Sequence, residues 1–270
     1  MLDILRQIVV KCGAVAIECR KTGLSKMVKA DGTAVTQADY LVENMIVDEL
    51  SRLFPSIAVI SEEGNHYALL DKKIAFVVDP IDGTNEYLRG GPYYCINIAL
   101  VEYNQPTVGI IYAPSLGWLF EGCNNHFQAY RVCDGDFYPI PRVAYLPQKS
   151  IKIVGSGFYR NQLSMLQYEG VKVHFRAVPS AVKFGLIAQS LADAYFCLGR
   201  TMIWDSAAGQ AILESVNGCV LSVDTDTRLL YNLTATDYVN QPFGAFAGHI
   251  DPSRFNKTLL MLRDSLRKAR

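Results

Sequence analysis

The chain has 270 residues, of which 50% are hydrophobic and 19% are charged. That composition excludes an intrinsically disordered protein, and the length suits one large domain or two smaller packed ones. Lys plus Arg and Asp plus Glu number 26 each, so no net charge draws the protein to nucleic acid or an acidic membrane.

Two amphipathic helices are predicted at the start of the chain. Residues 3–20 carry apolar side chains at three- and four-residue spacing, namely Ile4, Ile8, Cys12, Val15 and Cys19. The second helix begins at "TQAD", where Thr36 is a candidate N-cap with Asp39 three residues later. Its predicted buried stripe consists of Leu41, Met45, Ile46 and Leu50.

Short apolar strands and hairpins follow the two helices. "IAVIS" and "IAFVVD" predict buried strands, and two hairpins are predicted around "YNQP" and around Asn124-Asn125. Beyond the prolines near residue 140, strands and helices alternate, which is typical of an α/β unit. We therefore predict an α/β fold in two parts, with residues 1–140 forming an N-terminal half and residues 141–270 a C-terminal half.

Apolar segments end in carboxylates at three separate places. Glu62 follows "VIS", Asp79 and Asp82 end "AFVVDPID", and Asp205 follows "TMIW". Each acid could be an ordinary helix cap or turn residue. If they converge, their mutual repulsion must be cancelled, and oxygen ligands without nearby His or Cys suit a hard cation such as Mg²⁺ or Mn²⁺. Carboxylates that share more than one metal ion are typical of phosphoryl hydrolysis.

The residues after Asp82 suit an anion. Gly83 lets the backbone approach a ligand closely, and Thr84 supplies a hydroxyl. "TNEYL" then predicts a helix whose first N–H groups favour a phosphate. A carboxylate cluster beside an anion cradle indicates a site for a phosphate ester.

The motifs "DPIDGT", "WDSAAG" and "SEE" resemble, in this order, those of the inositol monophosphatase superfamily. The resemblance covers nearly the whole chain. It implies an αβαβα sandwich and a lithium-sensitive phosphatase that uses two or three Mg²⁺ ions.

Within that superfamily the chain is most similar to the 3'(2'),5'-bisphosphate nucleotidases of sulfate assimilation. The stretches that carry this likeness are "KADGTAVTQAD", "INIAL" and "SAVKF". Leu198 stands where inositol monophosphatases usually have Glu, which counts against inositol. Cys197, where the nucleotidases often have Arg, is a departure that bears on substrate choice.

The resemblance implies a role for each matching residue. The implied metal ligands are Glu62, Asp79, Asp82, Asp205 and the Ile81 carbonyl. Asp39 and Thr84 would orient the attacking water, and Glu63 would help to polarise it. The implied phosphate cradle consists of Gly83 and Thr84. Further candidate substrate contacts are Lys29, Ser156, Lys183, Arg200 and Asp205.

The predicted reaction is hydrolysis of adenosine 3',5'-bisphosphate to AMP and phosphate by direct attack of a metal-bound water. The alternative is an inositol or broad sugar-phosphate phosphatase. The second phosphate of the nucleotide needs a cation, for which Lys183 is the first candidate and Arg200 the second. The seven cysteines form no C-x-x-C pair, which favours reduced thiols in a cytoplasmic protein. We expect no nucleic-acid partner and no membrane span, and a homodimer.

Overall fold

The computed structural model describes residues 1–23, 26–28, 34–64, 73–144, 150–157, 160 and 172–268. Lys29 lies outside these residues, and so do residues 161–168, for which the alternation of strands and helices predicts a helix. Within the described part of the chain, no helix is long and apolar enough to cross a membrane.

Helices and strands of the described residues follow the predicted order closely. The helices are α1 (Leu2–Thr22), α2 (Gln37–Leu53), α3 (Thr84–Leu88), α4 (Val182–Ala188), α5 (Ala207–Glu214) and α6 (Ser253–Lys268). The strands of the first part are β1 (Lys26–Val28), β2 (Ala34–Thr36), β3 (Ala58–Ser61), β4 (Ile74–Asp82), β5 (Cys95–Glu102), β6 (Gln105–Ala113), β7 (Trp118–Cys123), β8 (His126–Cys133) and β9 (Asp136–Ile140). Those of the second part are β10 (Ser150–Gly155), β11 (Lys172–Ala177), β12 (Ala194–Cys197), β13 (Cys219–Ser222) and β14 (Phe243–Phe246).

The long strands form two sheets. In the larger sheet seven strands follow chain order from β3 to β9, with β3 parallel to β4 and every later pair antiparallel. The smaller sheet has five strands in the order β11-β10-β12-β14-β13, and β10 is parallel to both of its neighbours. The larger sheet therefore comes from residues 58–140 and the smaller sheet from residues 150–246.

Five layers enclose three apolar cores. Helices α1 and α2 pack on one face of the larger sheet, through residues such as Val9 and Ile46 against Ile98. Helices α4 and α5 lie between the two sheets, and α6 covers the far face of the smaller sheet with Phe255 and Leu259. This αβαβα sandwich confirms the predicted fold class.

Helix α2 begins as its sequence predicts. The Thr36 hydroxyl accepts a hydrogen bond from the Ala38 N–H at 3.2 Å, and the Asp39 carboxylate accepts one from the Thr36 N–H at 2.8 Å. Two predicted core positions are wrong, since Ile4 and Leu41 are exposed. Their neighbours Leu5 and Val42 are buried instead, whereas the predicted positions Ile8, Cys12, Ile46 and Leu50 are buried as expected. The error is therefore confined to the first position of each stripe.

The sequence analysis also missed strands β9 and β14. Strand β9 contains Pro139, which normally argues against a strand, but β9 is an edge strand where the missing N–H costs nothing. Strand β14 is only four residues long and contains Gly244. The division of the chain at residue 140 stays a prediction, and the core around α4 and α5 contains residues from both sides of it.

We expect Gly109→Ala to destabilise the protein, because a Cβ at this position in β6 would overlap the backbone carbonyl of Ala208 in α5. Overpacking of this kind costs about 1–3 kcal/mol of unfolding free energy. Urea denaturation measures the loss. The matched control is Gly157→Ala, whose new Cβ would lie 3.8 Å from the nearest atom. Equal stabilities of the two variants would contradict the close packing of α5 on β6.

Candidate active site

Three carboxylates from distant parts of the chain meet at the end of β4. Asp79, Asp82 and Asp205 each bring one carboxylate oxygen within 4.8 Å of the others. A three-residue spacing places two side chains on opposite faces of a regular strand. The pairing of β4 with β5 shifts register between Asp79 and Asp82, and this irregularity lets both side chains reach the same site.

Asp79 is the most costly charge in the site. Its side chain is 1% exposed, and neither carboxylate oxygen has a hydrogen-bond partner among the described residues. Burial raises its pKa well above the usual value, and the charges of Glu62, Asp82, Asp205 and Asp39 raise that pKa further. A bare buried anion of this kind needs a counter-cation.

The donor set fits a hard divalent cation. It consists of carboxylate oxygens, with the carbonyl of Ile81 close by in the chain, and the orphaned oxygens of Asp79 supply unused lone pairs. The expectation that no Cys lies near the acids is wrong, because the Cys95 sulfur is 3.6 Å from Asp82 Oδ2. Burial raises the pKa of the Cys95 thiol well above its usual value, which disfavours a thiolate ligand. Carboxylate and carbonyl oxygens favour Mg²⁺, Mn²⁺ or Ca²⁺ over soft metals. The residues present therefore fit a metal site.

Asp82 is held by donors from both parts of the chain. Its Oδ2 accepts hydrogen bonds from the Asn97 amide at 3.3 Å, from the Cys95 thiol at 3.6 Å and from the backbone N–H of Ala181. Burial raises the pKa of Asp82, and Lys183 and these hydrogen bonds oppose the shift. The predicted ligand Asp82 thus has a fixed orientation.

The fourth predicted acidic ligand, Glu62, follows β3, which pairs in parallel with β4. Its charge raises the pKa of both Asp79 and Asp205, so it lies near the cluster. Glu62 and the neighbouring Glu63 are half-buried. Their roles as ligand and as polarising base stay predictions.

Thr84 lies between two acceptors. Its hydroxyl is 3.5 Å from Asp39 Oδ1 and 3.2 Å from the carbonyl oxygen of Ile81. The other oxygen of Asp39 is occupied by Thr36, so Oδ1 is the atom that faces Thr84. Gly83 precedes α3 with φ 88°, a left-handed conformation that favours glycine. The structure thus brings together the predicted Asp39–Thr84 pair and the turn beside it.

A cavity of about 450 Å³ opens from Asp82 and Asp205 toward the second part of the chain. The predicted substrate contacts Ser156, Lys183 and Arg200 all line it. Lys183 is only 6% exposed and lies 4.7 Å above the Tyr195 ring. Burial lowers its pKa, and the Asp82 charge opposes that shift. Lys183 is therefore a buried lysine and not an ordinary solvent-exposed lysine on a helix.

Sequence reasoning missed the residues that orient Asp82. Asn97 is 1% exposed, and its amide reaches Asp82 from the neighbouring strand β5. A signal was present, because Cys95 and Asn97 alternate with the apolar Ile96 and Ile98 and so share one face of β5. The N–H of Ala181, by contrast, gives no signal in the sequence.

We expect Asp79→Asn to fold and, in EDTA, to be at least as stable as the wild type, with an advantage that grows with pH. A carboxyl whose pKa is raised by folding stabilises the protein below its unfolded pKa of about 4. That stabilisation is lost as pH rises through the folded pKa, which is about 8 for Asp205. Removing the Asp79 charge relieves part of this loss.

Urea denaturation in EDTA at several pH values between about 5 and 9 checks the prediction. The control is Asp136→Asn, which removes an exposed carboxylate of β9 that does not belong to the cluster. An Asp79→Asn protein that fails to fold would instead make Asp79 a structural residue of the strand end.

Comparisons with known proteins identify the family of the chain. The sequence model of the inositol monophosphatase family matches residues 1–249. The 3'(2'),5'-bisphosphate nucleotidase CysQ of Buchnera aphidicola is 32% identical over 223 residues, which are 81% of this chain and 82% of that protein. The Nus factor SuhB of Xylella fastidiosa is 30% identical over 200 residues, with 68% and 67% covered.

Among solved structures, CysQ from Bacteroides thetaiotaomicron superposes with a TM-score of 0.76 at 23% identity, covering 92% of this chain and 98% of its own. That likeness supports the fold alone. The family match over residues 1–249 and the 32% identity to the Buchnera relative show the family as well as the fold. The chain belongs to the inositol monophosphatase family, whose members are metal-dependent phosphatases of phosphate monoesters.

Proposed function

We propose that the protein is a Mg²⁺-dependent 3'(2'),5'-bisphosphate nucleotidase that hydrolyses adenosine 3',5'-bisphosphate to AMP and phosphate. The observation that carries this proposal is the buried Lys183 in the cavity beside Asp82 and Asp205. A substrate with a second phosphate can place one anion at the carboxylate cluster and the other against this cation. Several curated relatives bear the bisphosphate nucleotidase name, including those of Buchnera aphidicola and Haemophilus influenzae.

The chain's own residues would then orient the attack. With its proton donated to Asp39, the Thr84 oxygen has lone pairs left to accept a hydrogen bond from a water molecule. Glu63 lies beside Glu62 and would accept the proton that this water loses on attacking phosphorus. The P–O bond to the ribose then breaks, the departing ribose oxygen takes up a proton from solvent, and Glu63 returns its proton to solvent. Glu62, Asp79, Asp82, Asp205 and the Ile81 carbonyl would hold a divalent cation, which would neutralise charge on the phosphate and lower the pKa of water.

An inositol or sugar monophosphatase is the second candidate. The hydroxyls of Ser156, Ser180 and Thr201 line the cavity and suit a polyol substrate. Leu198, which takes the place of the Glu that inositol monophosphatases usually have, is buried and offers no acceptor. We therefore rank the nucleotide first.

Location and assembly stay predictions. All seven cysteines are free thiols, which supports the proposed cytoplasmic location because thiols persist in reducing compartments. The family resemblance is the basis for predicting a homodimer, lithium sensitivity and two or three bound Mg²⁺ ions.

Phosphate release from adenosine 3',5'-bisphosphate, inositol 1-phosphate and fructose 1,6-bisphosphate tests the proposed function. We expect the highest kcat/KM for the nucleotide, complete loss in excess EDTA and recovery with Mg²⁺. Preference for inositol 1-phosphate would support the second candidate. Activity that persists in EDTA would refute a metal-dependent mechanism.

Thr84→Ala should lower kcat by about 10²-fold or more, because a group that orients the attacking water acts on the transition state. The affinity for Mg²⁺ should change little, since the Thr84 side chain is not a predicted metal ligand. Thr84→Ser keeps the hydroxyl and is the matched control, with kcat near that of the wild type. An unchanged kcat in Thr84→Ala would remove Thr84 from the mechanism.

Lys183→Ala should raise KM for adenosine 3',5'-bisphosphate by about 10- to 150-fold, the equivalent of a charge-assisted contact of ~1.5–3 kcal/mol. KM for 3'-AMP, which lacks the second phosphate, should stay nearly unchanged. Arg200→Ala, measured in parallel, tests the other cation in the cavity. Equal effects of Lys183→Ala on both nucleotides would mean that Lys183 serves the reacting phosphate or the fold.

A further inference from the structure

The segment 199–205 contributes to the candidate site twice. Gly199, Arg200 and Thr201 line the substrate cavity, and Asp205 belongs to the carboxylate cluster. Its regular structure is limited to one short 3₁₀ turn at Ile203–Asp205 and an isolated β-bridge at Met202. Its geometry must therefore be set by contacts from outside the segment.

Those contacts come from residues 238–240. Met202 forms a β-bridge with Val239, and the Ile203 N–H donates to the Tyr238 carbonyl at 3.0 Å. The side-chain hydrogen bonds come from Asn240, which is 7% exposed. Its side-chain nitrogen is 2.5 Å from the Met202 carbonyl oxygen, 3.0 Å from the Ser206 hydroxyl and 3.3 Å from the Thr201 hydroxyl. Its backbone N–H also donates to the Thr201 carbonyl at 2.8 Å. One residue thus contacts both ends of the segment's last turn.

Met202 links Asn240 to Asp205 through hydrogen bonds. The Asp205 N–H donates to the same Met202 carbonyl at 3.1 Å, and the Met202 N–H donates to Asp205 Oδ2 at 2.7 Å. The Met202 carbonyl therefore lies between Asn240 and Asp205, and the Asp205 carboxylate is tied to the backbone of the residue that Asn240 holds. A shift of Met202 would move the carboxylate.

The chemistry of these contacts calls for an amide. A carbonyl oxygen only accepts, so the group facing Met202 must donate. An Asn side chain supplies two N–H donors from one short, stiff group, whereas Asp supplies none when ionised. The Asn240 oxygen is buried without a hydrogen-bond partner among the described residues. Leaving this oxygen unpaired costs free energy. The hydrogen bonds that the Asn240 amide donates to the segment offset that cost.

We propose that Asn240 is a positioning residue of this site, which fixes segment 199–205 so that Asp205 is aimed at the cation and Thr201 at the substrate. The effect on substrate rests on the proposed function. The effect on the cation needs only the carboxylate cluster. Residues that orient a metal ligand typically change metal affinity by 10- to 100-fold when they are replaced.

The test measures Mn²⁺ binding by electron paramagnetic resonance in the wild type, Asn240→Leu, Asp205→Asn and the double variant. Leu is close to Asn in size and has no donor. We expect Asn240→Leu to raise the Mn²⁺ dissociation constant about 10- to 100-fold. In the Asp205→Asn background it should add almost nothing, because its effect passes through the Asp205 carboxylate. KM for 3'-AMP should rise in Asn240→Leu as well.

Asn232→Leu is the matched control, since Asn232 is exposed and its side chain accepts only from Thr234 in its own turn. It should leave Mn²⁺ affinity unchanged. If Asn240→Leu does not fold, as judged by circular dichroism, the smaller Asn240→Ser takes its place in every measurement. A folded Asn240 variant with wild-type Mn²⁺ affinity would overturn the proposal, and so would losses that add fully in the double variant.

Because Mn²⁺ binding needs no substrate, its result stands even if no nucleotide is hydrolysed. In that case the proposed function fails and the positioning role of Asn240 is still decided.

Discussion

Asp79 places an unpaired carboxylate at the end of a buried strand, beside two more carboxylates. Two such charges ~4 Å apart repel by about 4 kcal/mol at an effective dielectric near 20, and burial adds a desolvation cost. No described side chain or backbone group donates to Asp79. Packing of α2, β4 and α5 holds the backbone in place despite this cost. A bound cation would neutralise the carboxylates.

The two parts of the chain depend on each other at this cluster. Asp79 and Asp82 come from the larger sheet, whereas Asp205 and the N–H of Ala181 come from segments that border the smaller sheet. Lys183 lies beside Asp82 and partly balances its charge. Neither part holds the complete site, so packing of α4 and α5 against β5 and β6 decides whether the cluster forms. Catalytic geometry and tertiary stability are therefore linked.

Much of this could be predicted from the sequence, because the relevant signals are local. The α2 capping box, the alternation of the hairpins and the acids that end apolar runs all depend on neighbours within a few residues. What could not be predicted depends on distant pairing. Lys183 becomes buried, and Asn240 hydrogen-bonds to Met202, only when segments about 40 to 100 residues apart in the sequence come together. Likewise, the exposure of Leu41 and the burial of Val42 depend on how α2 packs on the sheet.

We propose that Asp79, Asp82 and Asp205 together bind a divalent cation. Crystals grown with Mn²⁺ test it most directly, because Mn²⁺ gives an anomalous signal that locates the ion without reference to activity. The account predicts an anomalous peak within coordination distance of all three carboxylates. A map without a peak at the cluster, from crystals that hold Mn²⁺ elsewhere on the protein, would contradict it.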